Sequence, residues 1–275
     1  SGSDPRKVPA VLLTIAFVET SFGAWHIKGG IGQLSVAIEN RCRELGVKFE
    51  LNSPVTKITL QGSRATGVEV NSQVFEADFV VANADAELVY NKLLPPDLGA
   101  VKSERRKLAS ASKSLAGFSL LLGLDNSKLS GPAPEMKHHN VYFPEDYDAE
   151  FDDIFHRKIP VNDPTIYICA PKDPDMVKGS NKESWFVLVN APRHEPDSGW
   201  DWQQNGDIYA KKIVNKLDGL GMNVSPRLEF LKYRTPADLE NYAMAPGGSI
   251  YGTSSNSAAS AFLRARNRSK TKGLF

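Results

Sequence analysis

The order of apolar and polar positions along this 275-residue chain divides it into short helical and strand-like runs. Val11, Leu12, Ile15, Phe17, Val18 and Phe22 fit a helix over residues 9–22 and predict one buried on most sides. Trp25-His26-Ile27-Lys28 predicts a short strand entering Gly29-Gly30-Ile31-Gly32. Beyond it Leu34, Ala37, Ile38, Arg41, Cys42 and Leu45 recur at helical spacing until Gly46 closes that helix. Residues 47–51 alternate as a strand. Residues 55–60, 66–70 and 73–75 read as three more, the first two joined by a hairpin turn at Gln61-Gly62-Ser63-Arg64. The short apolar run Phe79-Val80-Val81-Ala82 has the character of a buried central strand.

Asn83-Ala84-Asp85 ends that run and caps a helix through Leu88, Val89 and Leu93, which Pro95-Pro96 terminates. A basic amphipathic stretch follows, with Lys102, Arg105, Arg106, Lys107 and Lys113, open to two readings: a solvated helix face or a contact for anionic lipid headgroups. Residues 115–124, 138–143, 165–170 and 185–190 are strand-like and separated by Pro-, Gly- and Asp-rich loops, which predicts one antiparallel or mixed sheet. Ile208, Ile213, Val214 and Leu217 mark a helix, and residues 236–242 a shorter one. The expected class is α/β (mixed α+β).

Composition narrows the function classes. At 41% hydrophobic and 24% charged residues the chain is globular rather than disordered. Its 33 Lys and Arg against 32 Asp and Glu leave a net charge of +1, so no global field attracts a phosphate backbone and no nucleic-acid partner is expected. The longest apolar run, residues 8–18, is interrupted by Pro9 and Thr14 and falls well short of the ~20 residues of a spanning helix. Cys42 and Cys169 are far apart and predict buried free thiols. His138 and His139 are adjacent on a predicted strand, where neighbours point to opposite faces, so no metal site is expected. The acidic run from Glu145 to Asp153 lacks the mid-loop glycine of a calcium loop and reads as a solvated helix face. No catalytic residue is assigned.

The glycine loop at residues 29–32 lies between a predicted strand and a helix, where backbone amides can approach a ligand closely. It is not a dinucleotide fingerprint, and taken alone it reads better as a structural turn than as a ligand loop. What carries a functional reading is the order of several segments. These are Lys28-Gly29-Gly30, Leu51-Asn52-Ser53-Pro54-Val55-Thr56-Lys57-Ile58, the run from Ala77 to Asp85, His138-His139-Asn140-Val141-Tyr142-Phe143, Tyr167-Ile168-Cys169-Ala170-Pro171, Thr235-Pro236-Ala237-Asp238, Gly247-Gly248-Ser249-Ile250-Tyr251-Gly252 and the segment from Phe262 to Ser269. In this order they resemble the middle of a bacterial-type phytoene desaturase, a carotenoid desaturase of the FAD-dependent amine-oxidase-like superfamily. The chain departs from the family pattern at Ile27 and at Ala265, where the family usually has proline.

The resemblance implies a desaturation in which a flavin accepts hydride from a long isoprenoid polyene. It places Val55 at the adenine of FAD with Ala82, Asn83 and Asp85 nearby, and it turns Gly29, Gly30 and Gln33 toward the flavin and substrate cavity. It implies a partial FAD-binding framework over residues 27–86 and a substrate-binding domain, with a mixed sheet and flanking helices, over residues 1–26 and 87–275. The strands between residues 115 and 190 are the expected walls of an apolar tunnel. The chain opens Ser1-Gly2-Ser3-Asp4 and reads as the central piece of a longer protein, cytoplasmic and peripheral to a membrane. The piece alone is expected to hold no stoichiometric FAD and to self-associate. Two rivals stay open on the same superfamily fold: a non-catalytic isoprenoid carrier akin to the Rab GDP-dissociation inhibitors, and another flavin-dependent oxidase.

Overall fold

The computed structural model describes residues 2–195, 198, 200–257, 260 and 264–275; Phe262 and Leu263 of the last resemblance segment lie outside them. In chain order the principal elements are α1 (Leu13–Phe22), α2 (Gly32–Glu44), β1 (Val55–Gln61), β2 (Arg64–Val70), β3 (Gln73–Glu76), α3 (Ala86–Leu88), α4 (Gly99–Ser110), β4 (Ala116–Asp125), β5 (His139–Tyr142), α5 (Tyr147–Asp152), β6 (Ile166–Cys169), β7 (Lys182–Ala191), α6 (Trp202–Gly219), α7 (Val224–Arg227), β8 (Leu228–Arg234) and α8 (Pro236–Ala243). They belong to two compact units. One comprises Ser1–Ala10, Phe49–Leu115 and Leu239–Phe275, the other Val11–Lys48 and Ala116–Asp238.

The first unit is built on a three-stranded antiparallel sheet, β1-β2-β3. Gly67 makes the β2–β3 pairing possible, because a Cβ there would lie 2.1 Å from the Phe75 carbonyl oxygen. Ile58 and Ala65 turn inward against Val89, Tyr90, Leu94, Val101 and Leu108. Asp85 caps α3 by accepting the Glu87 amide at 2.8 Å. The helix continues as a π-type turn, Val89–Leu93, and Arg105 fastens it: its guanidinium donates to Tyr90 O and Asn91 O within the turn and to Leu94 O just after it. Lys113 is likewise occupied, donating to Glu87 at 2.6 Å. Two of the five cations of the basic stretch therefore hold the unit together instead of facing solvent.

The second unit carries a five-stranded sheet in the order β5-β6-β7-β4-β8. All its pairings are antiparallel, so the mixed alternative is replaced. Alternation along β4 puts Ala116, Phe118, Leu120, Leu122 and Leu124 on one face, where they join Trp185, Val187 and Val189 of β7 and Ile166 and Ile168 of β6. The apolar stripe of α6, including Tyr209, Ile213 and Leu217, packs on this face. Phe118 is its aromatic centre, edge-on to Tyr209 at 5.0 Å and stacked on Tyr233 of β8 at 5.6 Å. The opposite face leaves Leu121, Val141, Phe186 and Phe230 exposed.

Several expectations change. Helix α1 forms, but none of its residues is buried: Leu13 is 71%, Phe17 63% and Phe22 70% exposed. Residues 25–28 and 47–51 form no strand; neither segment has a ladder partner among the described residues. The run Phe79-Val80-Val81-Ala82 is an edge, not a central strand. Among the described residues its backbone pairs with the C-terminal residues, through Val80 N–Gly273 O, Ala82 N–Phe275 O and Phe275 N–Val80 O, and Phe79 and Val81 are exposed. The acidic run is not uniformly solvated, because Glu150 and Asp153 are buried. The division of the chain also differs from the expected boundaries. Residues 27–48 go with the five-stranded sheet, to which the Gly29–Asp173 bond ties them, and residues 239–275 go with the three-stranded one, to which Ser114 N–Gly252 O and Lys272 N–Ser63 O tie them.

Candidate functional site

In the five-stranded unit, Gly29 and Gly30 both adopt positive φ, 79° and 90°, which turns the chain into α2. The turn is closed from within. Gly30 N donates to Ile27 O at 2.8 Å, and Gly29 N donates to the Asp173 carboxylate at 2.7 Å. The same Asp173 oxygen lies 2.8 Å from His26 Nε2. The His26 contact, with the Asp175 and Gly29 amides, holds the Asp173 carboxyl down at about 2. Gln33 lies under the loop; a Cβ on Gly29 would meet its Cγ at 3.1 Å. The structure thus brings Gly29, Gly30 and Gln33 together, and places the chain's own Asp173 carboxylate on the first amide of the glycine loop. Asp173 was not singled out in the sequence; it lies 144 positions from Gly29 and only the fold makes them neighbours.

His26 is also next to a second cluster. Its ring centroid lies 4.9 Å from that of His138, which lies 4.5 Å from that of His139. Ligand atoms of His138, His139 and Cys169 all fall within 4.8 Å of one another, so the expectation that the two histidines face apart fails. The reason is that β5 begins only at His139. Asn140 brackets the chain before it, accepting from Lys137 N and donating to Lys137 O, while His138 O receives the Ala170 amide, so His138 escapes the strand pleat. Desolvation, then the charges of His139 and His26, lower the His138 imidazole. Burial, then the adjacent Cys169 thiol, pushes the Tyr167 hydroxyl up to about 12, and that hydroxyl stands 2.8 Å from His139 Nδ1.

In the three-stranded unit, Val55 opens the outer strand β1 beside a register shift at Thr56, and it is 37% exposed. Asn83 and Asp85 line a cleft of about 440 Å³ with Ala245, Gly248, Ile250 and Gly252. Val55 and Ala82 are not among its lining residues. In the other unit a cleft of about 620 Å³ has a mixed wall, with Met136, Ala170 and Trp185 beside Glu135, Lys172, Asp173, Lys182 and Glu183.

Residues 9–149 match the family model described as flavin containing amine oxidoreductase. The chain belongs to the flavin-containing amine oxidoreductase family. Within it, the chain is 34% identical over its whole length to a zeta-carotene-forming phytoene desaturase of Myxococcus xanthus, and 31% identical over 99% of its length to a 1-hydroxycarotenoid 3,4-desaturase of Flavobacterium sp. (strain P99-3). It covers 52% and 54% of those two proteins, about half their length. A crystal structure of an oxidoreductase from Methanosarcina mazei shares the fold, with a TM-score of 0.55 at 13% identity over 90% of this chain and 48% of that one.

The matched family is flavin-containing, and of the four residues expected near the adenine the structure brings only Asn83 and Asp85 into one cleft. Val55 stands apart from that cleft on the edge strand β1, and one oxygen of Asp85 is engaged by the Glu87 amide. In the glycine loop before α2 the Gly29 amide is engaged by Asp173.

Proposed function

We propose that this chain is the central, substrate-domain part of an FAD-dependent oxidoreductase that desaturates an acyclic carotenoid precursor such as phytoene. The observation that carries this is the identity of 34% and 31% to two named carotenoid desaturases across essentially the whole chain. FAD, when bound, supplies a hydride acceptor for the C–H bonds broken.

The chain's own contribution is binding, orientation and exclusion of water. Val55, Ala82, Asn83 and Asp85 are assigned to the adenine side. Gly29, Gly30 and Gln33 are assigned to the flavin and substrate side, where a hydrogen bond from Gly29 anchors the loop to Asp173. For the polyene, the support is the outer face of the five-stranded sheet. Leu121 and Phe186 stand opposite each other across β4 and β7, and Val141 and Phe230 extend the same face toward its two edges, all without a covering element among the described residues. Burying such side chains against a hydrocarbon contributes about 25 cal/mol per Å². A membrane-dissolved substrate calls for a peripheral, cytoplasmic enzyme, and the exposed apolar side chains of α1 are the surface that suits membrane contact; no helix among the described residues is long and apolar enough to cross one.

The test is the parent protein reconstituted with FAD in detergent or liposomes, with phytoene and an electron acceptor, and the products resolved by their polyene absorption. Longer conjugated chromophores are expected. Oxidation of soluble amines with no polyene conversion would instead assign another flavin-dependent oxidase, and a parent that binds isoprenoid but holds no flavin would assign a carrier.

A further inference from the structure

The cluster on the outer face of the five-stranded sheet has a composition the proposed desaturation does not use. His139 and Cys169 are direct cross-strand partners of β5 and β6, so their side chains project on the same face. His138 joins them from the residue before β5, and the ligand atoms of all three lie within 4.8 Å of one another. Tetrahedral coordination at about 2.0–2.3 Å needs donors about 3.3–3.8 Å apart, within reach of small χ rotations of two imidazoles and a thiol. Two borderline nitrogens and one soft sulfur form a set that suits Zn²⁺ and disfavours Mg²⁺ and Ca²⁺, which require oxygen.

The surroundings are organised as support for such donors. Tyr167 OH meets His139 Nδ1 at 2.8 Å and its ring stacks on the His139 ring at a centroid distance of 5.9 Å, which holds the imidazole in place beside Cys169. The chain carrying His138 is fastened by the Asn140 bracket and by the Ala170 amide. His139 is exposed, so an ion has an entry path.

We propose that His138, His139 and Cys169 form a three-ligand binding site for a thiophilic divalent cation, Zn²⁺, with its fourth position open to solvent or to a further ligand. The site ties the segment preceding β5 to β6, at one end of the sheet face. It is independent of the desaturase reading, since it uses only residues of this chain and needs no flavin.

The experiment uses the reduced, chelator-treated 275-residue chain titrated with Co²⁺, read by the near-ultraviolet thiolate-to-cobalt charge-transfer band and the visible d–d bands, then with Zn²⁺ as competitor. One equivalent of Co²⁺ displaced by Zn²⁺ is expected. His139→Ala, at an exposed position, weakens binding about tenfold or more, Cys169→Ser abolishes the charge-transfer band, and Cys42→Ser leaves it unchanged. Absence of saturable one-equivalent binding below about 100 μM, a band that persists in Cys169→Ser, or an affinity unaltered by His139→Ala overturns the proposal. The His139→Ala arm decides the matter should Cys169→Ser fail to fold, as judged by circular dichroism.

Discussion

Asp173 accepts the Gly29 amide at 2.7 Å, joining residues 144 positions apart and setting a negative charge at the turn that leads into α2. Because His26 above all, and then two backbone amides, lower this carboxyl from 3.8 to about 2, its contribution is complete above about pH 4 and is lost as pH falls through about 2. The Gly29 amide resonance should therefore titrate with a midpoint near 2. A midpoint near 4 would show that the bond does not persist in solution. Asp173→Ala should release the loop and raise amide exchange at Gly29 and Gly30.

Glu150 is a buried carboxylate with three donors. It accepts Thr165 N at 2.8 Å, Thr165 Oγ1 at 2.6 Å and Asn190 Nδ2 at 2.8 Å, and so locks α5 to β7 and to the entry of β6. Glu150→Ala leaves these donors without their acceptor, and a loss of about 3 kcal/mol in denaturant unfolding is expected. Glu145→Ala, in the same acidic run but exposed, should change stability by less than about 0.5 kcal/mol. Equal effects would mean that the run is uniformly solvated.

Arg227 is fully buried, with its guanidinium 4.6 Å from the Trp185 ring centre and hydrogen-bonded to Asn126 Oδ1, Met222 O and Asn223 O. A lysine cannot reproduce that planar fork. Arg227→Lys should lower stability by about 2 kcal/mol and change the near-ultraviolet dichroism of Trp185. Retention of both stability and spectrum would count against the arrangement.

The exposed apolar side chains of α1, with Trp25 88% exposed just beyond them, predict association of the 275-residue chain. Sedimentation should show concentration-dependent oligomers that Leu13→Glu with Phe17→Glu disperses while the far-ultraviolet spectrum is kept. A wild-type chain that stays monomeric throughout the micromolar range would refute this.

Local chemistry was enough for α2, whose periodicity stops at Leu45 with Gly46 at φ 81°, and for β1 and β2, where the turn at Gly62 and Ser63 sits between alternating runs. It was also enough for the Asp85 cap and for four strands of the larger sheet. Strand β8 was not read, since the mixed polar and apolar order of Leu228-Glu229-Phe230-Leu231-Lys232-Tyr233-Arg234 acquires its meaning only beside β4. The candidate residues Val55, Asn83, Asp85, Gly29 and Gln33 came from resemblance, not from periodicity.

The sequence by itself determined the helical and strand periods, the turns and the family, because these depend on residues within a few positions of one another or on their order along the chain. Tertiary structure alone decided that Glu150 is buried while Glu145 is exposed, that an apolar helix such as α1 lies open, and that Asp173 meets Gly29. It also decided that His138, His139 and Cys169 converge. The physical reason is common to all four. Burial, ion pairing and donor convergence depend on which distant segment arrives at a given face, and strand register and loop closure set that arrival rather than any local preference of the residues concerned.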